Sequence, residues 1–361
     1  MPATPSPTPN LTYITHLGRQ AVKYGFIVLV VIMVGRVSLN AFVEFWKATH
    51  PEPPPPPTAG FGKLPKIDFP KQSEKDKPKQ YSLETATGRT PNFGDRAKVF
   101  FVPQAKANLL ADNRARQIAA SYGFIFEPEM LDAQTYRWTK TQPLESTLQV
   151  DLQTFHISLR TDYLSRPDLL LNNSLPDEYD AVELVKGFLK RSDSMPIDVA
   201  SSAGDITFLK ALGGDLEEAA SLSDADFIRV DLNRYPIDDQ FRMYSPEGYK
   251  GSISAVLTGA FKSNQSVVEI DYQYFNIDYF QVETYPIKTS QVAWKILQAG
   301  EGFIVNKGEK DEAVIRNVYL GYYDSWEEQK YLQPVFVFEG DDDFLGYVPA
   351  VDSAFIVNSE E

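Results

Sequence analysis

The stretch YGFIVLVVIMVGRVSLNAFVEFW, Tyr24 to Trp46, constrains this chain more than any other. As a helix rising 1.5 Å per residue it is about 34 Å long. A hydrocarbon core of about 30 Å needs roughly 20 such residues. A cleaved leader is disfavoured, because the apolar run is long and no A-x-A-like site follows it. Arg19 and Lys23 precede the run, and no acidic residue comes before it. That asymmetry holds the N-terminus in the cytoplasm and puts the rest of the chain outside. The expected location is therefore the plasma membrane, crossed once, with an extracytoplasmic C-terminal domain.

Arg36 interrupts the run at an insertion cost of about 2.5–3.5 kcal/mol, which the wholly apolar Phe26–Val34 can outweigh. Arg36, Asn40 and Glu44 recur every four residues and so share one helix face. Two readings stay open. The face is a polar seam toward a partner helix, or the span sits slightly N-terminal and Arg36 snorkels outward.

After the span comes PEPPPPP, Pro51 to Pro57. Consecutive prolines form polyproline II and stiffen a spacer. The segment continues through KQSEKDKPKQ with few apolar residues to bury, so disorder or a loose strap is expected there. The divisions that follow are a cytoplasmic tail at 1–23, the helix at 24–46 and a Pro/Lys-rich, largely disordered spacer at 47–95. Two α+β lobes are expected at 96–175 and 176–361, the second ending in a β-hairpin.

Residues 99–361 carry 22 basic and 42 acidic side chains, a net charge of about −20. A nucleic-acid binder needs a basic footprint, so that class is excluded. The chain has no cysteine, which removes disulfides, thiolate nucleophiles and cysteine metal sites.

The external part alternates between strand-like runs (AKVFFV, TLQVDL, FHISLR, DFIRVDL, SVVEIDYQYF, VIRNVYLGYY, YLQPVFVFEG) and three helical patterns. The helices are expected at 108–122, 177–190 and 290–298. The second has Pro176 at its start, acids in its first turn and Lys190 and Arg191 in its last, an arrangement that complements the helix dipole. In the third, Val292, Ala293, Ile296 and Leu297 are expected to face inward. The first and last units share an order of strand, helix and three strands. The fold class is α+β, with helices packed on antiparallel sheets in two related lobes.

The N-terminal span, VVEIDYQYFNIDYFQVETYPI, SQVAWKILQAGEGF and NVYLGYYDSWEEQKYLQPVFVFEGDDDFLGYVPAV together resemble PepSY-type domains and the YycH/YycI-like regulatory ectodomains. The resemblance implies an α+β fold that works by binding and regulation outside the membrane. It carries over no functional residue.

The residues offer little for catalysis. His16 and His50 lie outside the expected lobes. His156 is expected on a strand surface, on the face opposite Phe155 and Ile157. Neither a Walker A loop nor a G-x-G-x-x-G is present. Asp341-Asp342-Asp343 are contiguous and lack the spacing of a calcium loop, so they are read as a hairpin turn. No catalytic, cofactor or metal residue is assigned. The leading expectation is a binding or regulatory protein whose partner is an envelope or membrane protein, contacted through Tyr272, Tyr274, Phe275, Tyr279 and Phe280. Too many neighbouring positions in that segment are aromatic for all to face one core, so either some are exposed or the strand is buried on both faces. The alternative is an envelope hydrolase using paired carboxylates, with Asp231, Glu269, Asp271 and Glu283 as strand-borne candidates.

Overall fold

The computed structural model describes residues 11–49, 56–106, 109–166, 174–261 and 263–357. The chain divides into two units, Met1–Pro56 and Pro57–Glu361. In the first, α1 (Leu11–Thr49) contains a segment, Thr15–Trp46, long and apolar enough to cross a membrane. The helix overruns the expected 24–46 at both ends, because no proline lies between Pro9 and Pro51 to stop it. Arg36, Asn40 and Glu44 sit on it, all exposed. Pro51–Pro55, the heart of the expected stiff spacer, lie outside the described residues.

The second unit carries seventeen described strands and four helices. The first eight strands are β1 (Gln80–Leu83), β2 (Arg96–Phe101), β3 (Glu129–Met130), β4 (Thr135–Lys140), β5 (Ser146–Asp151), β6 (Ile157–Thr161), β7 (Asp205–Leu212) and β8 (Asp215–Glu218). There follow β9 (Phe227–Leu232), β10 (Met243–Tyr244), β11 (Ile253–Thr258), β12 (Val267–Tyr272), β13 (Asp278–Pro286), β14 (Phe303–Asn306), β15 (Glu312–Tyr323), β16 (Tyr331–Gly340) and β17 (Leu345–Pro349). The helices are α2 (Ala111–Ser121), α3 (Glu178–Arg191), α4 (Ile197–Ala200) and α5 (Ser290–Gln298).

The strands form two sheets. A nine-stranded antiparallel sheet has the order β3-β4-β5-β6-β12-β11-β9-β7-β8. An eight-stranded mixed sheet is built on β1-β15-β16-β17-β14, with β10, β2 and β13 attached. The class is α+β, as expected, but the expected boundary at 175/176 does not follow the strand pairing. β6 pairs with β12 inside one sheet, while β2 leaves its sequence neighbours to pair with β13 and β16 in the other. Each sheet therefore draws on both halves of the external sequence. A division by sequence order misses this because pairing partners are set by tertiary packing.

Helices α2 and α3 lay Ala115, Ile118, Ala119, Val182, Val185 and Leu189 on the nine-stranded sheet. Asp177 caps α3 by accepting from the Asp180 amide at 2.8 Å. On the eight-stranded sheet α5 buries Ala293 and Leu297. Val292 points outward instead of inward: a nine-residue helix presents a narrow stripe, and its neighbours already fill it.

From residue 57 the expected disorder or loose strap gives way to a closely packed strap. Leu64 is fully buried beside Val99, Tyr285 and Val351, burial worth about 2 kcal/mol. Phe69 stacks on Phe303 at 4.9 Å. The Gln72 side-chain amide bonds both the N–H and the C=O of Ile304, closing the open edge of β14. β1 adds a strand parallel to β15. These anchors are single apolar residues separated by charged ones, so no periodicity betrays them.

The three aspartates form the turn between β16 and β17. Asp342 and Asp343 take φ of 55° and 58°, the left-handed region that turn aspartates tolerate. Arg316 grips the Asp341 carboxylate at 2.8 and 2.6 Å, and Lys310 reaches Asp342 at 2.8 Å. A Cβ at Gly340 would run into the Val314 carbonyl, so glycine starts the turn.

Candidate functional site

The aromatic segment is where the chain leaves one sheet for the other. Tyr272 ends β12 in the nine-stranded sheet, and Asp278 starts β13 in the eight-stranded one. Gln273–Ile277 crosses between them. The density of aromatic residues thus serves two cores and the junction between them.

Tyr272, Phe275 and Ile277 are buried, while Tyr274 and Tyr279 are half-buried. Phe280 is 98% exposed. Its exposure is built in. β13 carries an irregularity between Asp278 and Val282, where three residues have no opposite number on β2. The Asp278 carboxylate accepts from the Phe280 amide at 3.0 Å and from the Gln281 side chain at 2.7 Å. A bulge of this kind re-aims a side chain, and here it holds the phenyl ring clear of the sheet.

Asp198, in α4, organises the other side. It accepts from the Tyr274 hydroxyl at 2.8 Å, the Tyr279 hydroxyl at 2.7 Å and Arg234 Nη1 at 2.8 Å. The Arg234 side chain has no solvent exposure. Its Nε donates to Asp324 at 2.8 Å, its Nη2 to the Phe275 carbonyl, and its guanidinium lies 3.9 Å from the Tyr274 ring centroid. Burial alone would lower the Arg234 pKa, but the Asp324 and Asp198 carboxylates overcome it and hold the group charged. Burial, joined by the Asp198 charge, raises both phenols above their ordinary range, although Arg234 opposes it. Both keep their protons and donate to Asp198. This knot ties together α4, the end of β9, the end of β15 and the crossover.

Around it lies a cavity of about 650 Å³ that all five aromatic residues line. Phe155, Met195, Pro196 and Ile197 supply the facing wall, Ile197 being 94% exposed. At one end Arg114 stands over the Phe155 ring at 5.3 Å and donates to the Asp193 carbonyl. The cavity therefore offers aromatic and aliphatic surface, and two of its three phenols, Tyr274 and Tyr279, are already committed to Asp198. A site of this size and lining suits an apolar ligand.

His156 lies behind the same wall, not on a strand surface. Its ring meets the Phe275 ring edge-on, with centroids 4.6 Å apart. Nε2 is sealed from solvent without a hydrogen-bond partner among the described residues. The expected alternation fails because β6 begins only at Ile157, and Phe155 adopts φ of 56° in the preceding turn. Desolvation lowers the His156 pKa to about 4; the Asp151 charge and the main chain of Tyr274 only partly offset this.

The candidate carboxylates lie elsewhere. Glu269 and Asp271 share the face of the nine-stranded sheet away from the helices, and Arg160 joins both, at 3.6 and 2.5 Å. Asp231 is 3% exposed and receives Arg229 Nε at 3.1 Å. Glu283 sits apart on β13, against Gly60 of the strap. Among the described residues, no group of three or more His, Asp or Glu side chains is placed to hold a metal ion. Sequence reasoning found the five aromatic residues but not Asp198, Arg234, Asp324 or His156. No spacing relates positions 198, 234 and 324, which meet only because two sheets meet.

No protein-family model and no curated protein matches the sequence. Among solved structures, the chain is similar to an uncharacterized protein from Eubacterium rectale at 12% identity, over 74% of this chain and 80% of that one. The TM-score is 0.32, a likeness too slight to carry fold or function from that protein to this one.

Proposed function

We propose that this chain is a membrane-anchored, extracytoplasmic binding protein that acts on another component of the cell envelope, as the resemblance to PepSY-type and YycH/YycI-like regulators implies. The basic residues before the apolar span support a cytoplasmic N-terminus and an external second unit. One observation carries the reading. A fully exposed phenyl ring, its backbone fixed by Asp278, lines an aromatic cavity in which Tyr274 and Tyr279 already bond Asp198. Rigid aromatic surface is the usual anchor of a protein interface. With a net charge of about −20 over residues 99–361, the partner segment is an apolar anchor flanked by Lys or Arg.

The test is photo-crosslinking in intact cells, with benzoylphenylalanine in place of Phe280. Recovery of one envelope protein, lost when Tyr274 and Tyr279 are both changed to Ala, supports the reading. A yield equal to that of the anchor helix alone rejects it.

The hydrolase alternative has Asp231 as its strongest acid, because burial raises that carboxyl, opposed chiefly by Arg229. A group 3% exposed cannot reach a glycosidic oxygen without movement of the sheet. The partner carboxylate across Ser254, Asp271, is engaged by Arg160. The aromatic cavity needs no such rearrangement to receive its ligand.

A further inference from the structure

His156 sits in the turn that forms one wall of the aromatic cavity. Thr154 and Phe155, immediately before it, line that cavity, and its own ring supports Phe275 on the wall beside them. The turn depends on Asp151, whose Oδ1 accepts from the Gln153 amide, the Thr154 amide and the Thr154 hydroxyl at 2.6–2.9 Å. On its other side His156 borders a second cavity, of about 370 Å³, shared with Asp151, Arg160 and Asp271.

We propose that His156 is a proton-operated latch on the aromatic cavity. As a neutral ring it fills space behind Phe275 and fixes the wall. As an imidazolium both ring nitrogens are donors and need acceptors, and Nε2 has none among the described residues where it lies. The carboxylates that line the second cavity with it are Asp151, on its own turn, and Asp271, on β12. Arg160 on β6 competes for Asp271 and repels the imidazolium, while Arg114 on α2 blocks the Phe155 side. Protonation therefore draws the ring into the second cavity, toward Asp151. Phe275 loses its backing, and the Thr154–Phe155 wall shifts with the turn. The partner segment is then held at neutral pH and released on acidification.

The regulatory part rests on the binding reading, but the wall movement does not. It is measured on the full chain in lipid nanodiscs with no partner present. Hydrogen exchange, corrected for the intrinsic pH dependence, is followed from about pH 7.5 to about pH 5. Protection over 151–157 and 273–279 should fall by roughly tenfold, with the β16–β17 hairpin unchanged. His156→Phe should abolish the fall, and His156→Gln, in case the larger ring misfolds, should do the same. In parallel, NMR of labelled histidine, with the His156 signal assigned by its loss in His156→Phe, should show that imidazole titrating well below the ordinary histidine value of 6.5. Unchanged protection in the native chain overturns the latch. So does the same loss of protection in both variants, or a His156 signal that titrates at the ordinary histidine value.

Discussion

Arg234 and His156 touch the same residue, Phe275, one through its main-chain carbonyl and the other through its ring. Both are basic groups placed away from water, yet they have been handled in opposite ways. Arg234 is surrounded by acceptors: two carboxylates, one carbonyl and the face of Tyr274. It keeps its charge and becomes a rivet between the sheets. His156 Nε2 has no acceptor among the described residues, so the ring gives up its charge and acts as apolar filling. Burying a charge is tolerable only when the remaining hydrogen-bonding capacity is met. One side of the crossover is thus built to stay put, and the other is stable in only one protonation state.

The strongest way to break this contrast is to remove the rivet. Arg234→Ala leaves Asp324 deeply buried without its cation and takes the guanidinium away from Asp198 and the Tyr274 ring. Breaking one side of a buried pair costs about 3–5 kcal/mol, to be read from the denaturant midpoint of the full chain. Arg234→Lys keeps the charge but cannot span Asp198, Asp324 and the carbonyl at once, and should recover only part of the loss. A midpoint within error of the native chain for both variants would mean that the knot does not couple the sheets.

His156 sharpens the comparison through pH. The unfolded chain binds this proton with the ordinary histidine pKa of 6.5, and the folded chain at about 4. Between those values the unfolded state holds more protons. Stability is therefore intact above about pH 6.5 and declines as pH falls toward 4, by about 3 kcal/mol at most. Plotted against pH, the difference in unfolding free energy between the native chain and His156→Phe should slope through that window. A flat difference would show that the imidazole is not desolvated. At a smaller scale, Tyr279→Phe deletes one hydrogen bond to Asp198, at a cost of about 1 kcal/mol by the same unfolding measurement. It should leave the pH slope in place, because it touches the rivet and not the latch.

Much of the frame could be read from local pattern. Helix α3 announced itself through Pro176, the acids after Asp177 and the cations at its end, signals that act within a few residues. The aromatic run was visible because five rings in nine positions exceed what one strand face can bury. The strap was not, because Leu64, Phe69 and Gln72 each hold on alone, to partners such as Tyr285, Phe303 and Ile304 more than two hundred residues away. His156 was misplaced for a geometric reason: alternation holds along a strand, and one left-handed residue at Phe155 resets the phase. The Arg234 knot was illegible because its three charges become neighbours only at the junction of two sheets.

The smallest effect on stability should come from the most exposed residue of the site, and that makes it the cleanest probe of function. Phe280 is carried on a turn whose hydrogen bonds come from Asp278 and Gln281, and its ring buries almost nothing. Phe280→Ala should shift unfolding by less than about 0.5 kcal/mol. The same change removes the aromatic anchor at the cavity mouth, where truncating an interface hot spot typically costs about 2 kcal/mol or more in binding, near thirtyfold in affinity. Crosslinking from a second position on the rim, Ile197, should therefore lose most of its yield in Phe280→Ala while the unfolding midpoint stays put. Asp278→Ala separates placement from contact. It keeps the ring but removes the carboxylate that fixes its turn, and it should weaken crosslinking less than loss of the ring does. If both variants crosslink as the native chain does, the exposed ring is ordinary surface, and the binding face has to be sought away from the crossover.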